Sequence, residues 1–258
     1  MPIDLSSSLL DDDNHEQALE LPSGSRPIPI SSAPQYTLYR LVRQLKPRSV
    51  LEIGTQVGGS AMTMAFAMRD NGTPVDVTCV DPFLRTGDND GLASLEKWYE
   101  NILSIGLKDG IDLLISTSGR ILPSIGRSFD FVFVDGSHEY LNVREDCYLA
   151  LSLLPVGGYF LAHDYLSYES VRKGCDEVIN RFRLPHHVNR IQKNYRGDLC
   201  GWVIARKEAD IPAESIAEYL GRRPKDYRAS LVKLARENMP RPVKTLLRKV
   251  LRFSRHNS

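Results

Sequence analysis

The chain has 258 residues, 42% of them hydrophobic and 25% charged, with a formal net charge of +1. This suits one sizeable α/β domain with extensions, and it excludes both a disordered chain and a protein held to polyanions by bulk charge. The longest apolar region, Leu149 to Ala162, is broken by Pro155, Gly157 and Gly158 and is too short to span a bilayer.

Residues 1–32 read as an irregular arm, rich in Ser, Asp and Pro and acidic through Asp11, Asp12, Asp13, Glu16 and Glu20. No basic start precedes an apolar stretch, so no signal peptide is expected and the expected compartment is cytoplasmic. The four cysteines, Cys79, Cys147, Cys175 and Cys200, form no CxxC pair and read as reduced, partly buried thiols. A helix is predicted from Ser32 and Pro34, with Tyr36, Tyr39, Leu41, Val42 and Leu45 at helical spacing.

From there apolar runs at 49–53, 75–80, 111–116, 129–134 and 158–162 alternate with helical patterns near 59–70, 91–104, 118–125, 140–153 and 165–182. Continuous apolar runs joined by helices predict a doubly wound, mostly parallel sheet covered on both faces. Two further runs, near 187–192 and 199–205, flank a turn at 194–198 and predict an antiparallel hairpin that completes a seven-stranded sheet. The domain is therefore placed at 33–207, and 208–258 reads as a helical extension. In the extension Val243, Leu246, Leu247, Val250 and Leu251 form an apolar stripe beside six basic residues, Arg241, Lys244, Arg248, Lys249, Arg252 and Arg255. The stripe packs on the domain or a second subunit, or the helix lies on a membrane surface or an anionic partner. Nucleic acid is not expected, because no aromatic residues interleave with the basic ones.

The first predicted strand ends in Glu52 and runs into Gly54-Thr55-Gln56-Val57-Gly58-Gly59-Ser60. Gly54 and Gly58 let the backbone turn tightly and approach a ligand, and in such a sheet ligands bind at the carboxyl ends of the strands. The spacing is Gly-x-x-x-Gly-Gly rather than Gly-x-Gly-x-x-Gly. A carboxylate at Glu52 disfavours a pyrophosphate and suits a ligand carrying an ammonium and a sulfonium. Asp81 ends the second strand, where an acid can accept ribose hydroxyls.

Asp135 and Asp164 end the fourth and fifth strands, 29 positions apart. Two carboxylates brought together beside a ligand site call for a cation, and a divalent metal with oxygen ligands satisfies them. His138 follows Asp135 by three positions and has the titration range of a general base. Taken singly, Asp135 and Asp164 also suit caps of following helices, and a lone histidine suits a structural role.

The stretch from Val50 through Ser60 resembles motif I of class I S-adenosylmethionine-dependent methyltransferases, a Rossmann-like fold. Over roughly 34–206 the chain is similar to the catechol O-methyltransferase-like group and to metal-dependent sugar O-methyltransferases of macrolide pathways. The resemblance implies that Glu52, Gly54 and Ser60 hold the amino-acid part of the cofactor, with Thr55 and Gly58 also binding it. It puts Asp81 on the ribose, Ser118 near the adenine, and Asp135 beside both cofactor and metal. His138 takes the place of the general base, a lysine in the catechol enzymes and a histidine in the sugar enzymes. The expected activity is divalent-metal-dependent methyl transfer to a hydroxyl of a sugar or small natural product, with Mg2+ as the cation. A metal-independent N- or O-methyltransferase and a non-catalytic docking module are the alternatives.

Two positions depart from the group, Tyr165 in place of an asparagine and His163 in place of an acid. The third metal ligand therefore stays open: His163 binds the cation, which would favour Mn2+ over Mg2+, or it hydrogen-bonds Asp164 from behind. Glu145 and Asp146 are expected on a solvated helix face, Trp98 and Tyr99 in the core or lining the pocket, and Arg85–Asp90 in a lid. The acceptor pocket is expected among the arm, the 82–98 loop and the segment after Asp164.

Overall fold

The structure is a computed structural model; it describes residues 33–84, 90–189 and 201–211 together with Ser215 and Glu218. Seven strands form one sheet: β1 (Val50–Ile53), β2 (Val77–Val80), β3 (Ile111–Leu114), β4 (Phe131–Val134), β5 (Tyr159–Ala162), β6 (His186–Val188) and β7 (Val203–Arg206). Their order is β3-β2-β1-β4-β5-β7-β6. The first five are parallel, and β7 runs antiparallel between β5 and β6, as the hairpin pattern predicts. Every position of β1, β2, β4 and β5 is buried, which is why these strands read as continuous apolar runs.

Among the described residues the helices that cover the sheet are α1 (Ala33–Leu45), α2 (Gly59–Asp70), α3 (Gly91–Ser104), α4 (Ser118–Ile121), α5 (Tyr140–Leu153) and α6 (Glu169–Phe182). One core packs Leu38, Met64, Phe66 and Trp98 from α1–α3 against Val50, Cys79 and Phe131 of the sheet. The other packs Val143, Leu149 and Val178 from α5 and α6 against Leu51, Val132 and Phe160. The sheet is thus wound on both sides, and β1 and β4 lie side by side where the winding changes direction. Lys207 is buried and donates to the Leu151 and Leu154 carbonyls, capping the end of α5 where a cation opposes the helix dipole.

Three expectations are corrected. Glu145 and Asp146 are each only 5% exposed, because α5 is pressed against the sheet on one side and α6 on another, leaving little of its circumference to solvent. Tyr99 is exposed, whereas Trp98 beside it is core. Helix α6 begins at Glu169 rather than 165, because Asp164 has φ +58 and the next residues form a turn that closes on its carbonyl. Cys79, Cys147 and Cys175 are free and buried. The arm at 1–32, the lid segment at 85–89, the turn at 194–198, Cys200 and the basic tail lie outside the described residues. Among the described residues no helix is long and apolar enough to cross a membrane.

Candidate active site

Ladder hydrogen bonding continues one residue past the strands. Gly54 N–H donates to Val80 O, Asp135 N–H to Ile53 O, His163 N–H to Val134 O and Asp81 N–H to Leu114 O, at 2.8–3.2 Å. Asp81, Gly54, Asp135 and His163 therefore stand in one row along the carboxyl edge of the sheet. Gly54 has φ +88, and a Cβ there would collide with the Asp135 carbonyl, so glycine alone lets the first turn pass beside the end of β4.

The loop from Gly54 to Gly58 is held from three sides. One Asp81 oxygen accepts the Thr55 and Gln56 N–H groups, both at 3.0 Å, and the other accepts Phe83 N–H at 2.7 Å. Trp98 Nε1 donates to Thr55 Oγ1 at 3.0 Å, and Asn101 Nδ2 donates to the Val57 carbonyl at 2.8 Å. Gly58 caps α2 at φ +83, where a Cβ would press on the Trp98 ring at 3.0 Å. Trp98 and Asn101, on α3, thus brace the glycine loop. Periodicity marks Trp98 only as core and gives no signal for Asn101. Thr55 is buried and its polar groups are engaged within the protein, so it supports the loop from beneath.

Glu52 is completely buried under this loop. Its carboxylate accepts the Ser60 hydroxyl on one oxygen and the Cys79 thiol, at 3.3 Å, on the other. Burial pushes its pKa up to about 7; bonds from Ser60, Thr55 and Cys79 oppose that rise, and the Asp135 charge adds to it. A carboxylate so placed gains most from a cationic ligand group above it.

At the other end of the row, Asp135, His138 and Asp164 offer ligand atoms that all lie within 4.8 Å of one another. Sequence reasoning named all three, but with His163 rather than His138 as the added metal ligand. The strand register puts Asp135 abreast of His163, not of Asp164. The left-handed turn at Asp164 then aims its carboxylate back at His138, with Nε2 to Oδ2 at 3.0 Å. His163 lies behind, its Nδ1 3.4 Å from one oxygen of each aspartate and its ring against Phe133 and Trp202. Burial works to raise the Asp164 pKa, but hydrogen bonds from His138 and His163 outweigh it and hold Asp164 well below the usual carboxylate range. Two carboxylates and an imidazole at this spacing fit a divalent cation.

His138 is fixed locally. Ser137 Oγ accepts Glu139 N–H and the Asn142 side chain, shaping the turn into α5. Ser170 Oγ donates to the His138 carbonyl at 2.6 Å, and the Tyr168 ring stacks on the imidazole with centroids 4.1 Å apart. Ser118 opens α4, and its hydroxyl donates to the buried Asp146. Burial pushes Asp146 to about 7, Ser118 easing the rise and the Glu145 charge adding to it. Sequence reasoning found neither Tyr168 nor Asp146, since both pairings join residues from different helices or loops.

Residues 51–165 match the family described as "Methyltransferase domain". Caffeoyl-CoA O-methyltransferase of Stellaria longipes is 30% identical over 131 residues, 48% of this chain and 48% of that protein, so the match spans about half of the relative's length. Among solved structures, a putative O-methyltransferase from Klebsiella pneumoniae aligns with TM-score 0.55 at 19% identity, over 72% of this chain and 84% of that one. The O-methyltransferase TomG from Streptomyces achromogenes, solved with S-adenosylmethionine, aligns with TM-score 0.56 at 19% identity, over 73% and 84%. At such identity the structures speak for the fold alone, in keeping with the sheet order above. Residues 51–165 thus match a methyltransferase domain, and the fold around them is that of the two O-methyltransferase structures.

Proposed function

We propose that the chain is an O-methyltransferase that moves a methyl group from S-adenosylmethionine to a hydroxyl of a small acceptor, with a divalent cation held by Asp135 and Asp164. The observation that carries this reading is the convergence of Asp135, His138 and Asp164 beside the glycine loop. Similarity to proteins named as O-methyltransferases supports oxygen as the acceptor atom.

Glu52 and the loop Gly54–Ser60 would hold the cofactor's amino-acid end, and Asp81 would hold its ribose. Three of the four acceptor positions of that carboxylate are already filled by loop N–H groups, so one ribose hydroxyl completes it. The cation, when bound, lowers the pKa of the acceptor hydroxyl and fixes its oxygen. His138 takes the hydroxyl proton, its ring oriented by Asp164 through Nε2 and by the Tyr168 stack. The protein otherwise aligns oxygen, methyl carbon and sulfur, since the sulfonium already activates the methyl group. A histidine as base favours a sugar or similar alcohol over a free catechol.

A second reading has His138 as the third ligand, because its nitrogen lies inside the same cluster as the two aspartates. The test of the main reading is turnover of S-adenosylmethionine against a panel of sugar and phenolic hydroxyl acceptors, with added Mg2+ or Mn2+ and after exhaustive chelation. Turnover that needs the cation supports it; equal turnover after chelation sinks the metal-dependent form.

A further inference from the structure

Tyr165 follows the second aspartate of the cluster, where the catechol-like group has an asparagine. It is 7% exposed and shares a core with Val171 and Cys175 of α6. Its hydroxyl donates to Asp176 Oδ1, also on α6, at 2.5 Å. The side chain is thus engaged by α6 rather than by the cluster of Asp135, His138 and Asp164.

Asp164 has φ +58, which aspartate tolerates better than most residues but which the surroundings must still hold. Within the turn, Ser167 N–H and Tyr168 N–H donate to the Asp164 carbonyl at 3.0 and 3.2 Å, and Ser167 Oγ donates to Asp164 Oδ1 at 3.1 Å. These bonds close the turn on itself, through two residues that are exposed. Leu166 N–H reaches the Gly201 carbonyl only at 3.4 Å. Tyr165 is the one buried residue of 164–168, so it is the residue that ties the turn to the body of the fold. Asp176 is steadied in its turn by Arg172, whose Nη1 stands 3.9 Å from the other carboxylate oxygen. The Asp164 carboxylate meets His138 Nε2 at 3.0 Å, so a shift of the turn would draw Asp164 Oδ2 out of the cluster.

We propose that Tyr165 is a positioning residue for the cation site: its hydrogen bond to Asp176 anchors the left-handed turn and so sets where the Asp164 carboxylate stands. At this position the chain exchanges a side chain that can bind a cation for one that braces the aspartate beside it. The inference rests on the reading of Asp135 and Asp164 as cation ligands.

The test is calorimetric titration of the full chain and its variants with Mn2+, beside thermal melts without metal. Tyr165→Phe keeps the buried ring and loses the hydroxyl. Asp176→Ala removes the acceptor, whereas Asp176→Asn keeps an oxygen that the hydroxyl can reach. Both Asp176 variants lose the charge, so the difference between them reports the hydrogen bond. Groups that orient a metal ligand are worth about 10–100-fold in affinity. Tyr165 acts through one backbone link, so Tyr165→Phe and Asp176→Ala should weaken Mn2+ binding by about tenfold, the lower end of that range. Asp176→Asn should stay within about threefold of wild type. A role in stability alone would lower the Tm of the variants and leave Mn2+ affinity unchanged. That result, or a loss in Asp176→Asn as large as in Asp176→Ala, overturns the inference while leaving the cation reading intact. If Tyr165→Phe fails to fold by circular dichroism, the two variants of the partly exposed Asp176 decide the matter. Absence of Mn2+ binding by the wild type overturns both together.

Discussion

Asp135 and His163 stand abreast at the ends of β4 and β5, with His163 Nδ1 3.4 Å from a carboxylate oxygen of Asp135. The imidazole packs against Phe133 and Trp202, and we propose that it orients the two aspartates rather than binding the cation itself. Replacing such a supporting group costs about 10–100-fold in metal affinity, whereas removing a ligand costs far more. His163→Gln is therefore expected to weaken Mn2+ binding within that range, and Asp135→Asn to abolish it. Calorimetric titration of both variants with Mn2+ decides the point; an equal, complete loss in His163→Gln would make it a ligand.

His138 and Tyr168 give a second prediction. As a base, His138→Ala should lower turnover by about 10²–10⁴-fold with Mn2+ affinity nearly unchanged; loss of Mn2+ binding would instead support His138 as ligand. Tyr168 contributes a stacked ring and no bond to the imidazole that depends on its hydroxyl. Tyr168→Phe should therefore keep wild-type turnover, and Tyr168→Ala should lower it about tenfold, on the order of the 1 kcal/mol an aromatic contact supplies. Equal losses in the two variants would show that the phenol hydroxyl matters and the stack does not.

Much of this was legible in the chain. Apolar runs buried on both faces, such as Val77–Val80 and Phe131–Val134, carry their assignment in composition alone. Glu52, Gly54, Asp81, Asp135 and Asp164 were legible because each sits at a strand end, a place the pattern marks. What was not legible depends on register and on helix-to-helix contact. A one-residue offset between β4 and β5 puts His163 opposite Asp135, and a left-handed residue at Asp164 restores the carboxylate to the cluster. Neither leaves a periodic trace. Glu145 and Asp146 misled for a related reason: acids on a helix signal a solvated face only when one side of the helix is buried, and α5 is covered on more than one.

Glu52 predicts an opposition between stability and function. Its pKa in the folded chain is about 7, against 4.5 for the group in isolation. Below about pH 4.5 folded and unfolded chains both keep the proton and no penalty arises. As pH rises toward 7 the unfolded chain releases its proton and the folded chain resists, so stability is lost, by about 3 kcal/mol once both are ionised. Glu52→Gln removes that penalty. Its cofactor-free form should melt above wild type at pH 8, with the gap closing by pH 4.5, while S-adenosylhomocysteine should no longer raise its Tm. Identical melting of the two proteins across that range would mean that the carboxylate is not strained by burial.

The backbone at Asp164 separates charge from conformation. Its φ of +58 lies in the left-handed region, where aspartate and asparagine are at home and a residue with an ordinary Cβ is not. Asp164→Asn and Asp164→Ala both delete the carboxylate that meets His138 and His163, so both should lose Mn2+ binding and turnover alike. Only alanine also carries the backbone penalty, about 1 kcal/mol. Urea melts should therefore place Asp164→Ala below Asp164→Asn by that amount with equal m-values. If the two variants unfold together, the turn has relaxed to negative φ. Glycine at this position would then bring no advantage over alanine.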